Sequence, residues 1–166
     1  TSLLVGSSGI ERALALHWQA TDQTAVPEAQ PEIDAVEQLI VVSGSAAPAT
    51  AGQIDWALAK GYAGIRLNAP RLVDPASADG ERASVTEAAL AALTDGRSIV
   101  LYSAQGPNDP YIAQTRAHLE SLKLDPHTIG SRLGTQQGLI LRDLLERTGL
   151  RRAVVAGGDT CGYAAR

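Results

Sequence analysis

Three times in this chain a short run of aliphatic residues empties into a turn of small ones: "LIVVSGSAAP" at 39–48, "SIVLYSAQGPNDP" at 98–110 and "AVVAGGDTCG" at 153–162. A fourth run, "LLVGSSG" at 3–9, has the same form. Apolar runs of four to seven residues read as strands buried on both faces. Between them lie stretches with helical spacing. Ile54, Ala57 and Leu58 give the i, i+3, i+4 face of a helix that Gly61 ends, and 84–93 places Val85, Ala88, Ala89, Ala92 and Leu93 inward with Gly96 beyond. Further helices are expected over 10–19, 111–122 and 135–148, and a strand over 62–68. "SGIE" at 8–11 and "TAGQ" at 50–53 have the form of capping boxes. The polar stretch 19–34, with two prolines, reads as a loop.

Strands alternating with longer helices predict an α/β fold, three-layer α/β/α with a mostly parallel, Rossmann-like sheet. The 166 residues suit one domain. In such sheets ligands collect beyond the carboxyl ends of the strands, where all four small-residue turns lie. Small residues let backbone approach a ligand, and a helix beginning just after the turn favours an anionic group.

Composition narrows the choices. Lys and Arg number 14 against 18 Asp and Glu, a net charge of -4, which argues against backbone-driven nucleic-acid binding. The pair Arg151 and Arg152 reads as a solvated strand entry. The longest aliphatic stretch, 39–42, is far short of a membrane span, so no membrane partner is expected. A single cysteine excludes an internal disulfide and agrees with a cytoplasmic address. The chain begins at Thr1, holds no methionine and lacks the pattern of a signal peptide, so it reads as a segment of a longer product.

Several catalytic signatures are missing. Neither Lys60 nor Lys123 follows a glycine in the frame of a phosphate-binding P-loop, and there is no G-x-G-x-x-G and no G-x-S-x-G. His17, His118 and His127 are far apart in sequence and read as ordinary surface or partly buried histidines, so no metal site is expected from protein ligands alone. Cys161 reads as a small residue packed behind the glycine turn, with an activated thiol as the rival. Trp18 and Trp56 fall on apolar helix faces and are expected in the core.

As a set, "VVSGSAAPATAGQIDWAL", "GRSIVLYSAQGPNDP" and "LLERTGLRRAVVAGGDTCGYAAR", in that order, resemble the C-terminal nucleotide-binding domain of the four-carbon acid sugar kinase family. "LLVGSSGIERALALHW" is similar to the start of that domain. The resemblance implies a kinase that uses ATP and magnesium to phosphorylate threonate, erythronate or an oxo-tetronate. It implies ATP contacts at Ser45, Gly157, Gly158, Asp159 and Thr160, with a further glycine contact after the last residue. It also implies that the catalytic residues and the sugar-acid site belong to an N-terminal domain, leaving the catalytic residues of this chain unknown. Asp159 is expected to cap the following helix, its other role being to orient magnesium through water.

This chain departs from the family pattern at Ala46 and Ala47, where a cysteine and a serine are usual, and at Cys161, where serine is common. Two rivals follow. One is a catalytically weakened nucleotide-binding or protein-interaction module, favoured by the two alanines. The other, a dinucleotide oxidoreductase, lacks both the glycine fingerprint and an acid to hold the ribose. Oligomeric state, a homo-oligomer included, stays open.

Overall fold

The computed structural model describes residues 8–21 and 34–164. The chain divides into two compact units, Thr1–Ala35 and Val36–Arg166. In the first, helix α1 (Ser8–Ala20) starts two residues before the expected helix and carries Glu11 in its first turn. Trp18 is exposed there, contrary to the expectation of a core residue. The expected strand at 3–5, its glycine turn through residue 7 and most of the loop over 19–34 lie outside the described residues.

The second unit is built on four parallel strands: β1 (Ile40–Ser43), β2 (Ala63–Arg66), β3 (Ile99–Tyr102) and β4 (Ala153–Ala156), in the order β2-β3-β1-β4. The helices are α2 (Pro48–Ala59), α3 (Ala69–Val73), α4 (Ala78–Thr94), α5 (Pro110–Ser121), α6 (Ile129–Thr148) and α7 (Gly158–Ala164). Alternation along the strands sends side chains to both faces. Ile40, Val42, Ile99 and Leu101 meet Leu72 of α3, Val85, Ala89 and Leu93 of α4, and Ile140 and Leu144 of α6. On the other face Val100 meets Ile54 and Ala57 of α2, with Val41 and Tyr102 beside them. The result is three layers, α/β/α. Each fully buried Leu or Ile contributes about 1.5–3 kcal/mol through its removal from water.

Several local expectations are corrected. α2 starts at Pro48 with Ala47 as its N-cap residue and no side-chain cap, so the box at 50–53 does not form. Proline's fixed φ suits the first helical position, and this moves the helix start three residues back. Ala88 is exposed, and Thr86 is buried in its place. Trp56 is 62% exposed, because it sits two residues, about 200° of helical turn, from the buried Ile54. Lys60 stands over its ring at 5.7 Å. The short helix α3 was not foreseen.

α6 begins at Ile129, six residues before the expected start, despite glycines at 130, 134 and 138. Those glycines face α7. A Cβ at Gly134 would stand 2.8 Å from Tyr163 Cβ, and one at Gly138 would stand 2.7 Å from the Ala164 Cα. Glycine at every fourth position thus clears a strip along α6 on which α7 rests.

Candidate functional site at the strand ends

The register makes β1, β3 and β4 finish level: Ser43 pairs with both Tyr102 and Ala156. The ladder continues for one more residue on each side, with Gly44 N donating to Ala156 O at 2.9 Å and Ser103 N to Ser43 O at 3.1 Å. The turns after these strands are therefore held against one another. A Cβ on Gly157, whose φ is +122°, would lie 3.2 Å from Ser45 N and 3.1 Å from Thr160 Oγ1. The two turns singled out in the sequence, about a hundred residues apart, form one surface.

Of the expected contacts, Ser45 is half-buried and its hydroxyl is engaged locally, accepting from Ala47 N at 3.2 Å and pairing with Thr50 Oγ1 at 2.9 Å. Gly158 is exposed, with nothing within 4 Å of the place a Cβ would take. Thr160 is buried, its hydroxyl pressed on Gly44. Asp159 is not the cap residue, since α7 already begins at Gly158; its carboxylate reaches toward Gly130 of α6. Cys161 is exposed rather than packed behind the turn, and its thiol donates to Val155 O at 3.3 Å.

A cavity of about 310 Å³ opens between these turns and helices α5 and α6, lined at the strand ends by Gly44, Ala46, Ser103, Ala104, Asp159 and Thr160. It lies where strand order reverses. From β1 the chain leaves through α2 toward the β2 side of the sheet, and from β3 it leaves through α5 and α6 toward β4, so the crevice between their ends is the topological switch point. A larger cavity of about 580 Å³ lies on the α2 face, but its walls, Val41, Ile54, Val100 and Val154 among them, include no charged side chain.

Three residues went unrecognised in the sequence. Asp109, with a side chain only 3% exposed, accepts from Arg66 Nη2 on both oxygens, at 2.5 and 2.6 Å, and from the amides of Gln105 (2.8 Å) and Tyr111 (2.9 Å). Burial alone would push its carboxyl up, but these donors outweigh burial and hold it below the ordinary carboxylate value. The bond to Asp109 raises Arg66 in turn. Arg66 also lies 4.4 Å over the Tyr111 ring. Gln105 extends the tie to α2 through Asp55 at 2.5 Å, so the loop from Ser103 to Asp109 is clamped between β2 and α2. The "NDP" triplet signals an N-cap before a helix, which is the trace Asp109 left in the sequence.

Gln137, wholly buried in α6, donates from Nε2 to Ser43 O at 3.1 Å. This fixes its amide orientation and aims Oε1 at Gly44, where a Cβ would meet it at 3.0 Å. Among the described residues neither Gln137 Oε1 nor the buried Ser43 hydroxyl has a hydrogen-bond partner. A mid-helix glutamine between glycines carries no sequence signal for that role. The third residue is Arg116 of α5, which also lines the crevice.

Among the described residues no group of three or more His, Cys, Asp or Glu side chains gathers, and no helix is long and apolar enough to cross a membrane. His118 instead pairs with Asp74 at 3.1 Å, tying α5 to the end of α3.

Residues 40–166 match the model of the family described as nucleotide-binding C-terminal domain. The chain is 38% identical over 159 residues to a 3-oxo-isoapionate kinase of Paraburkholderia graminis, covering 96% of this chain and 34% of that protein. It is 30% identical over 158 residues to a D-threonate kinase of Salmonella typhimurium, covering 95% and 34%. To a 3-oxo-tetronate kinase of Cupriavidus necator it is 33% identical over 165 residues, covering 96% and 34%. The chain thus spans about a third of the length of these curated relatives. With its level strand ends, its paired glycine turns and this match across β1 to α7, the chain belongs to the four-carbon acid sugar kinase family, as its C-terminal nucleotide-binding domain.

Proposed function

We propose that the chain is the ATP-binding domain of a cytoplasmic kinase that phosphorylates a four-carbon sugar acid of the threonate, erythronate or oxo-tetronate type. The observation that carries this is the contact between the turn 43–45 and the turn 157–160 at the switch point of a parallel sheet. The relatives' names, D-threonate kinase and 3-oxo-tetronate kinase, supply the acceptor class.

In the reaction the γ-phosphoryl group passes to an acceptor hydroxyl, the hydroxyl proton goes to a base and ADP leaves. Phosphoryl transfer is chiefly positioning and charge stabilisation. In this reading Gly157 and Gly158 present backbone amides to the phosphates, Thr160 and Ser45 border them, and Asp159 would orient magnesium through water. The donor set fits a magnesium ion held mainly by phosphate oxygens, since Asp159 is the single carboxylate lining the crevice and Mg²⁺ typically takes one or two from the protein. When bound, the ion neutralises charge on the phosphates. The acceptor site and the base belong, in this proposal, to the two-thirds of the relatives that the chain does not span.

Calorimetric titration of magnesium ATP tests the reading. Because a side chain at Gly158 meets nothing within the fold, Gly158→Val is expected to leave the melting temperature unchanged and to weaken ATP binding at least tenfold. Equal affinity in the variant and the parent would remove Gly158 from the nucleotide contacts.

A further inference from the structure

We propose that Arg116 is the anion receptor of the switch-point crevice, gripping a terminal phosphate of the bound nucleotide. The proposal rests on reading that crevice as the nucleotide end of a kinase site.

An anionic ligand entering a chain of net charge -4 needs a local cation, and the crevice offers one. Among the side chains that line it, Arg116 is the single base and Asp159 the single acid. No ion pair or hydrogen bond joins Arg116 to Asp159 or to any other described residue. Several other arginines are committed: Arg66 to Asp109, Arg71 to Glu81, Arg82 to Asp79 and Arg147 to Glu87. Arg66, the other guanidinium near this edge of the sheet, is neutralised by a buried carboxylate and stacked on Tyr111, so it is not free to serve.

The helix fixes where Arg116 stands. Ile112, Thr115 and Arg116 share the crevice-facing side of α5 at i, i+3 and i+4. That face is anchored by the buried Leu119 and Thr115, and Asp109 caps the helix at its start. The Thr115 hydroxyl is spent on Tyr111 O at 2.5 Å, which leaves the guanidinium as the donor this face offers. Its planar fork suits phosphate or carboxylate oxygens two at a time.

The test titrates the 166-residue chain and its Arg116→Ala and Arg116→Lys variants with magnesium ATP and with AMP. Arg116 is exposed and unpaired, so both variants are expected to melt with the parent. If the guanidinium holds a terminal phosphate, Arg116→Ala weakens ATP about 10- to 100-fold, the usual worth of a hydrogen bond to a charged group, and AMP within twofold; Lys recovers part of the loss. A parent chain that binds ATP, with variants that bind it equally well, overturns the role of Arg116 and leaves the nucleotide reading standing. A parent chain that does not bind ATP removes the nucleotide reading, and the proposal with it.

Discussion

Gly44 and Thr160 share a space that admits no further atom: a Cβ on Gly44 would lie 1.9 Å from Thr160 Oγ1 and 3.1 Å from Thr160 Cβ. Gly44→Ala is therefore expected to cost about 1–3 kcal/mol, the usual range for overpacking a tight site. Removing the hydroxyl and methyl through Thr160→Ala relieves the closest overlap. The double variant should then be more stable than the sum of the singles predicts, in a denaturant-unfolding cycle. Strict additivity would mean the two turns are not in contact.

Two glycines inside helices should respond with opposite signs. Gly52 in α2 has nothing within 4 Å of a prospective Cβ, so Gly52→Ala is expected to stabilise by about 0.5–1 kcal/mol through backbone entropy. Gly134 in α6 lies against Tyr163, and Gly134→Ala should destabilise by about 1–3 kcal/mol while speeding hydrogen exchange in α7. Urea midpoints and amide exchange would report both.

Asp109→Asn breaks a mostly buried ion pair. With Arg66 one-third exposed, the loss is expected near the low end for buried pairs, about 2–3 kcal/mol at neutral pH. Because the folded carboxyl titrates below its unfolded value, the stabilisation is complete above about pH 5 and fades as pH falls through the folded pKa. The stability gap between parent and variant should hold steady from pH 5 to 8 and narrow below about pH 4. A gap that widens in acid would contradict the geometry.

Gln137 offers a test of buried polarity. In Gln137→Glu a carboxylate would face the Ser43 carbonyl, acceptor against acceptor. The new group should titrate above the ordinary glutamate value, and the penalty, about 3 kcal/mol or more at pH 7, should shrink as pH falls and the acid donates to Ser43 O. Gln137→Leu loses one hydrogen bond but also an unpartnered oxygen, so its cost is expected to be smaller. Thermal melts from pH 4 to 8 separate the two.

The sheet was legible because its strands are apolar on both faces, so 40–43, 99–102 and 153–156 announce themselves without context. The small-residue turns marked the edge at which the crevice opens, because close backbone approach leaves its trace in missing side chains. What was hidden depended on partners remote in sequence. Arg66 and Asp109 look like any surface charges until the loop after β3 folds back. The glycines at 130, 134 and 138 look like helix breakers until α7 is laid over them. Trp56 misled because size suggested burial where its angle on α2 did not.

Of the described strands the inner strand β1 is made first, yet it waits between neighbours that arrive much later: Ile40 is joined by Ile99 and then by Ala153. Closing loops of that length costs chain entropy before any contact repays it, so the sheet assembles late and slowly for its size. The crevice needs the turns after both β1 and β4, and it exists only once the last loop has closed. On a ribosome this order withholds the crevice until synthesis has passed α7, and a product stopped before β4 would leave the β1 edge bare.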